Sequence, residues 1–198
     1  MNEFIKTLEK RRSIYKLDKN ICISHERVQA IVEHALKHTP SAFNSQSARV
    51  VILFNHHHDN LWDTTKNIIK DVVPTESFSQ AQEKLNDFKA AAGTILFYDD
   101  INIVKNLQNS FPMYADNFPI WAQQANGMLQ SNIWAALAQE GVGASLQHYN
   151  PLIDEAVSIQ LNIEKNWKLV AQMPFGNQTS QPKEKEFVSV TERIRVFV

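Results

Sequence analysis

The segment Pro119–Ala144, PIWAQQANGMLQSNIWAALAQEGVGA, decides how the chain is organised. Its apolar positions Trp121, Ala125, Met128, Leu129, Ile133, Ala136 and Leu137 step by 4, 3, 1, 4, 3 and 1, the spacing of a helical face. Proline suits the first helical turn, where its missing N–H would have no partner, so the helix is predicted to begin near Pro119 or Ile120. Gly127 and Ala135 keep the remaining girth slim, as expected for a helix buried on more than one side. Gly141 stops it, glycine being the residue that closes helices in the left-handed conformation.

The flanking segments supply layers for such a helix. On the N-terminal side, Phe4, Ile5 and Leu8 share one face of a short helix ending near Arg11 or Arg12. Ser24 is a candidate N-cap for a helix carrying Val28, Ile31, Val32, Ala35 and Leu36, and Pro40 ends it. Residues 49–54, short, apolar and β-branched, are predicted as a buried strand. Helices over about 60–71 and 79–92 lead to a strand at 93–98, and 99–118 is irregular and rich in aromatics. Beyond Gly141 come a strand around 144–148, a helix after Pro151 and a strand at 168–173. The alternating tail, 193–198, is predicted to be a strand that must add to an edge somewhere, in this chain or in a second subunit. With no repeat or linker, residues 1–198 are expected to form one α+β domain.

Bulk properties exclude several classes. The 198 residues can bury a core, and 20 basic against 21 acidic residues, a net charge of −1, leave no electrostatic footprint for nucleic acid or a membrane surface. Cys22 is the only cysteine, so no internal disulfide is possible, which fits a reducing compartment. No run spans a bilayer and the N-terminus lacks an apolar leader core, so a soluble cytoplasmic protein is expected.

Four stretches could carry chemistry. Arg11-Arg12-Ser13-Ile14-Tyr15 places two guanidiniums and a hydroxyl where a helix hands over to a loop, a receptor for a phosphate monoester or simply a complement to the helix dipole. The loop Pro40–Ser47 has small side chains that let backbone amides approach a planar ligand, with Asn44 and Gln46 for two-sided hydrogen bonding, although serine and asparagine also suit ordinary turns. The run Gly141–Pro151 closes the long helix and carries Gln147 and His148, which a helix cap does not explain. In Phe175–Phe187 a polar loop presents Lys183 and Lys185, which alternate and could meet one anion or stay solvated.

In this order the four stretches resemble the FMN-dependent nitroreductase family, in particular its compact branch related to the yeast fatty-acid repression mutant protein. The likeness runs from about Leu8 onward. It implies a nitroreductase-like fold with a central, mainly antiparallel sheet flanked by helices, and a homodimer with two FMN sites at its interface. It also implies Arg11, Arg12, Ser13, Lys183 and Lys185 at the phosphate and ribityl end, and Pro40, Ser41, Ala42 and Asn44 near the ring from the partner subunit. The Gln147–His148 segment would lie on the flavin's other face, offering a backbone N–H. Where family members often carry a basic residue two positions after the serine, this chain has Tyr15. Reduction of nitroaromatics or quinones by NADH or NADPH in a ping-pong cycle would follow, the chemistry being borne by the cofactor rather than by a catalytic side chain. Phe111, Tyr114 and Phe118 would wall the acceptor slot or serve as plain core. The rival expectations are another flavin reductase or dehydrogenase on the same fold, a flavin-binding regulator with little turnover, and a relative that has lost FMN.

Other signals point to no metal. His56-His57-His58 is predicted to sit in a solvated loop, and the pair His34 and His38 to be exposed without a third ligand. Cys22, between Ile21 and Ile23, is expected to be a packed thiol. No glycine-rich dinucleotide fingerprint exists, so nicotinamide would have to bind on the flavin.

Overall fold

A computed structural model describes residues 2–198. In chain order the elements are α1 (Glu3–Lys10), β1 (Leu17–Asp18), α2 (His25–His38), β2 (Ala48–Phe54), α3 (Asn55–Val72), α4 (Thr75–Lys89) and β3 (Gly93–Asp100). There follow α5 (Ile101–Ser110), α6 (Asn117–Gln139), β4 (Gly143–Ala144), α7 (Asp154–Leu161) and β5 (Trp167–Gln178). Short 3-10 turns occupy Ala42–Asn44, Pro112–Tyr114 and Val190–Glu192. The sheet order is β1-β5-β3-β2, with β4 also on β5, and every strand pairing is antiparallel.

β3 is buried along its whole length because helices cover both faces of the sheet. Strand side chains alternate between faces. Ile95 and Phe97 therefore pack with α2 and with Leu129, Ile133 and Leu137 of α6, whereas Leu96 and Tyr98 pack with α3, α4 and α7. The register shifts between Phe97, paired with Ala171, and Tyr98, paired with Leu169, so Val170 is an extra residue in β5. That bulge places Leu169 and Ala171 on opposite faces, each in the core it belongs to.

Local signals account for most boundaries. Ser24 caps α2, its side chain accepting from the Arg27 N–H, and Gly141 closes α6 at φ +80°. The strand predicted at 49–54 is present but only half-buried, since β2 is the outermost strand. α5 lies where no element was expected; Asp100 caps it by accepting from the Asn102 N–H. β4 is shorter than the predicted 144–148, while β5 runs well beyond Met173.

Two expectations are corrected. The histidine triplet is not in a loop: α3 begins at Asn55, and His58 is fully buried. Its Nε2 faces the Lys89 carbonyl at 3.1 Å and must carry the proton, while Nδ1 lies 2.8 Å from Thr94 Oγ1, which also accepts from the Trp62 indole at 2.9 Å. Burial holds its pKa below the usual histidine value. Cys22 is exposed rather than packed, its thiol donating to the Glu140 carbonyl. The tail adds to no edge among the described residues of this chain, which leaves the second subunit of the two places expected for it, and Val196, Phe197 and Val198 are exposed. His34 and His38 are exposed as expected, and no group of three potential metal ligands exists among the described residues. Among the described residues no helix is long and apolar enough to cross a membrane.

Candidate functional site

The end of α1 delivers the first group of side chains. Arg11 leaves the helix in extended conformation, its N–H returning to the Thr7 carbonyl. Ser13 then pairs in parallel with Ala144, and the Ile14 N–H donates to the Ala144 carbonyl at 2.9 Å. Gly143 permits this approach: a Cβ there would lie 2.9 Å from Leu17 and 3.2 Å from Ile14. On the other side, the end of β5 pairs with β1, and the Thr179 N–H bonds the Lys16 carbonyl. Residues 180–186 are thereby laid opposite 11–16 across a cavity of 750 Å³ that both segments line. Arg11, Arg12, Ser13, Lys183 and Lys185, separated by some 170 residues in sequence, share this one cavity.

The cations there differ in what they are free to do. Arg11 lies over the Trp134 ring, 4.4 Å from its centroid, and burial with neighbouring Arg12 lowers its pKa. Arg12 instead donates to the Lys183 carbonyl, strapping the late segment to the early one. The Lys185 ammonium stands 5.2 Å from the Phe187 ring. Lys16 is paired with Asp87 at 2.7 Å, but Arg11, Lys183 and Lys185 have no carboxylate within 4.0 Å among the described residues.

The chain from Ala144 continues along the edge of β5. Gln147 exchanges both backbone hydrogen bonds with Gln172, at 2.7 and 2.9 Å, and its side chain donates to Ser145 Oγ. Tyr149 N–H donates to Gln172 Oε1 at 2.8 Å. Gln147 is therefore internally satisfied. The intervening His148 N–H, pointing away from β5 by strand alternation, has no acceptor among the described residues. Beside it is a 410 Å³ cavity whose polar lining includes Asp99, Gln130, Asn150 and Lys168. Burial raises the Asp99 pKa even though it accepts from Asn126 at 3.1 Å.

The third group surrounds the Pro40 loop. Ser41 Oγ accepts from the Gln46 N–H, and the Ser41 carbonyl accepts from the Asn44 N–H, both at 3.0 Å. Phe43, Asn44 and Gln46 have φ of 56°, 50° and 49°, three left-handed non-glycine residues in one loop. Phe43 rests on Phe111 (4.8 Å between centroids), Phe118 (5.3 Å) and Trp121 (6.3 Å). A second 410 Å³ cavity is walled by Pro40, Ser41, Ala42, Phe43, Trp121 and Met128, together with Gln124 and Ala125. Phe111, Tyr114 and Phe118 form the seat beneath Phe43 and do not themselves line it. No residue lines both this cavity and the one at Arg11.

Phe43, Trp121 and Trp134 belong to the site without any sequence motif that marks them. A large aromatic inside an otherwise small, polar loop was the one available signal for Phe43; Trp121 and Trp134 were indistinguishable from other apolar positions of α6.

The nitroreductase family model matches residues 8–177. The nitroreductase FRM2 of Saccharomyces cerevisiae is 33% identical over 188 residues, covering 94% of this chain and 93% of FRM2. The structure is similar to that of the nitroreductase CinD from Lactococcus lactis in complex with chloramphenicol. The TM-score is 0.92 at 45% identity, covering 98% of this chain and 100% of CinD; CinD with 4-nitrophenol gives a TM-score of 0.91. A more distant nitroreductase from Desulfitobacterium hafniense, with bound FMN, shares the fold at 20% identity and a TM-score of 0.73, covering 100% and 99% of the two chains. By sequence and by structure, the chain belongs to the nitroreductase family, a family of oxidoreductases.

Proposed function

We propose that the protein is an FMN-dependent NAD(P)H oxidoreductase that reduces nitroaromatics and quinones as a homodimer. The observation that carries this reading is the convergence of Arg11, Ser13, Lys183 and Lys185 on one cavity, joined through the Ser13–Ala144 bridge to the unpartnered His148 amide.

The donor set fits FMN. A phosphate monoester carries roughly 1.5 to 2 negative charges near neutral pH, so several cations without carboxylate partners suit it. The cavity's 750 Å³ lies within the ordinary range for small-molecule sites, about 300–1,000 Å³. Arg11, held over Trp134, presents the guanidinium fork; the Ser13 hydroxyl and the two lysines add donors. Arg12 contributes by keeping Lys183 in place. The His148 N–H is the amide of the 147–148 pair left to meet a ring nitrogen, and its imidazole needs no acid role. FMN held there would supply the hydride-transfer chemistry between a reduced nicotinamide and the acceptor.

The Pro40–Asn44 loop and its aromatic seat belong to a cavity that shares no residue with the phosphate-binding one. A second copy of the chain would bring the two together, its loop standing over the ring held by the first. The exposed apolar tail, with Ile194, Val196 and Phe197, supports such an association. The chloramphenicol and 4-nitrophenol complexes of CinD support nitroaromatic acceptors, and the FMN of the D. hafniense relative supports the cofactor.

The test is the visible spectrum of the purified protein after incubation with FMN, followed by NADH and NADPH oxidation with 4-nitrophenol or a quinone. One tightly held flavin per chain and acceptor-dependent oxidation are expected. A protein that takes up no FMN, or holds it without acceptor-dependent turnover, would refute the proposal. Sedimentation equilibrium checks the dimer.

A further inference from the structure

Gln172 is a fully buried polar side chain in the middle of β5, between Ala171 and Met173 and paired with Leu96 of β3. An amide in such surroundings must make its hydrogen bonds within the protein. Both polar atoms of this side chain are spent on one turn. Its Oε1 accepts from the Tyr149 N–H at 2.8 Å, and its Nε2 donates to Asn150 Oδ1 at 3.3 Å. Its backbone exchanges two further hydrogen bonds with Gln147, at 2.7 and 2.9 Å. Gln172 thus binds the chain immediately before and immediately after His148.

The strand register explains why a side chain is needed there. The edge segment runs antiparallel to β5 with Gly143 opposite Gly176, Ala144 opposite Phe175 and Gln147 opposite Gln172. Continued by two residues, the same register would set the Tyr149 N–H against the Val170 carbonyl. Val170 is the extra residue of β5, and the ladder ends before reaching it. The Gln172 amide oxygen supplies the acceptor that the ladder no longer does.

The Gln147 carbonyl and the His148 N–H belong to one trans peptide. Its carbonyl accepts from the Gln172 N–H, so its own N–H points away from β5. Of the three successive amides 147–149, the outer two are bonded inward, and the middle one has no acceptor among the described residues. The Gln147–Gln172 pair is the last rung of this edge, and the end of a ladder frays unless something holds it.

We propose that Gln172 is a positioning residue for the cofactor: its side chain clamps the 149–150 turn onto β5, and so keeps the His148 N–H aimed at the flavin N5. This rests on the flavin oxidoreductase reading above. Gln172 acts through the turn and does not itself touch the flavin.

The experiment loads wild type, Gln172→Met and Gln172→Glu with nitrogen-15-labelled FMN and reads the N1, N5 and N10 resonances of the oxidised flavin by NMR. Methionine is close to glutamine in length and suits apolar surroundings, but removes both side-chain hydrogen bonds. Glutamic acid keeps an acceptor for the Tyr149 N–H and, in the neutral form that burial favours, a donor for Asn150. Melting of the FMN-free proteins establishes folding. Gln172→Met should melt several degrees lower, because the Tyr149 N–H loses its acceptor. Its FMN dissociation constant, from flavin fluorescence, should rise by about two- to tenfold. A merely structural residue would show those same losses, so the N5 resonance decides. In Gln172→Met it should move downfield, as for a ring nitrogen that loses a hydrogen-bond donor, while N1 and N10 stay in place. In Gln172→Glu it should lie at the wild-type position. An N5 resonance unchanged in FMN-loaded Gln172→Met overturns the proposal. So does an equal movement of all three nitrogens, which would mean a displaced flavin, or an N5 shift as large in Gln172→Glu as in Gln172→Met. If Gln172→Met does not fold, Asn150→Ala removes one of the two side-chain bonds and carries the same test, with a smaller N5 shift expected. A wild-type protein that takes up no FMN overturns the underlying reading and this inference with it.

Discussion

Replacing Arg11 by alanine should cost cofactor affinity before it costs fold, and the structure sets the size of both effects. Arg11 has no carboxylate partner within 4.0 Å among the described residues, so its guanidinium is available to a phosphate. Hydrogen bonds to charged groups contribute about 1.5–3 kcal/mol each, which corresponds to roughly 10- to 150-fold in a dissociation constant. Lys183 and Lys185 remain at the same cavity but are exposed. Water screens such charges, so they compensate only in part. Against the fold, the variant loses the contact with Trp134, about 0.5–1 kcal/mol for a partly exposed cation on a ring. In a domain of this size each kcal/mol is worth about 2–4 °C of melting temperature. The expected outcome is an FMN dissociation constant raised by some tens-fold, at fixed ionic strength, with the FMN-free protein melting within a few degrees of wild type. Flavin fluorescence titration and circular dichroism melting measure the two. An FMN constant within twofold of wild type would show that the phosphate is bound elsewhere.

Other residues give separate checks. Trp134→Leu removes the surface on which Arg11 rests, and should weaken FMN by about fivefold; combined with Arg11→Ala it should add almost nothing, since the two act through one contact. Additive losses in the same titration would refute the coupling. His58 is held neutral by burial, so the unfolded chain takes up its proton first, near pH 6.5. Its contribution to stability is therefore complete above that pH and falls as pH drops through the lower, folded-state value. In urea unfolding between pH 7.5 and 5, the stability difference between wild type and His58→Gln should shrink toward acid; a constant difference would sink this account. Gly176→Ala would place a Cβ 2.5 Å from the Asp18 carbonyl oxygen and 3.1 Å from the Ala92 nitrogen, where backbone cannot yield. A loss of about 1–3 kcal/mol is expected by denaturant unfolding, with looser FMN binding because β1 and β5 frame the Arg11 cavity. A wild-type midpoint for this variant would show that the strands can separate at no cost.

Local chemistry was legible in the sequence because it depends on neighbours within a few residues. Ser24, Pro119 and Gly141 marked helix ends through capping, a missing N–H and left-handed freedom, and α2 and α6 follow them to within a few residues. The order of the Arg11, Pro40, Gly141 and Lys183 stretches identified the family by resemblance, and the family comparison agrees. The segment 93–98 was expected to be a strand, although not that helices would cover both its faces.

What only the tertiary structure decided is which side chains meet. His58 is buried because α4 and β3 present a carbonyl and a hydroxyl to it, partners 31 and 36 residues away. Nothing in the triplet itself separates it from exposed His56 and His57. That Arg12 donates to a carbonyl 171 positions later is likewise invisible in its own neighbourhood. The tail has a strand's alternation but pairs with no described residue of this chain. Phe43 reads as an ordinary loop residue until α6 and the Phe111 turn supply its seat. Periodicity and capping are short-range properties of the backbone, whereas burial, pairing and the lining of a cavity depend on how distant elements pack. The sequence therefore determined most of the elements and the family, and packing alone assigned the partners of Arg12, His58 and Phe43.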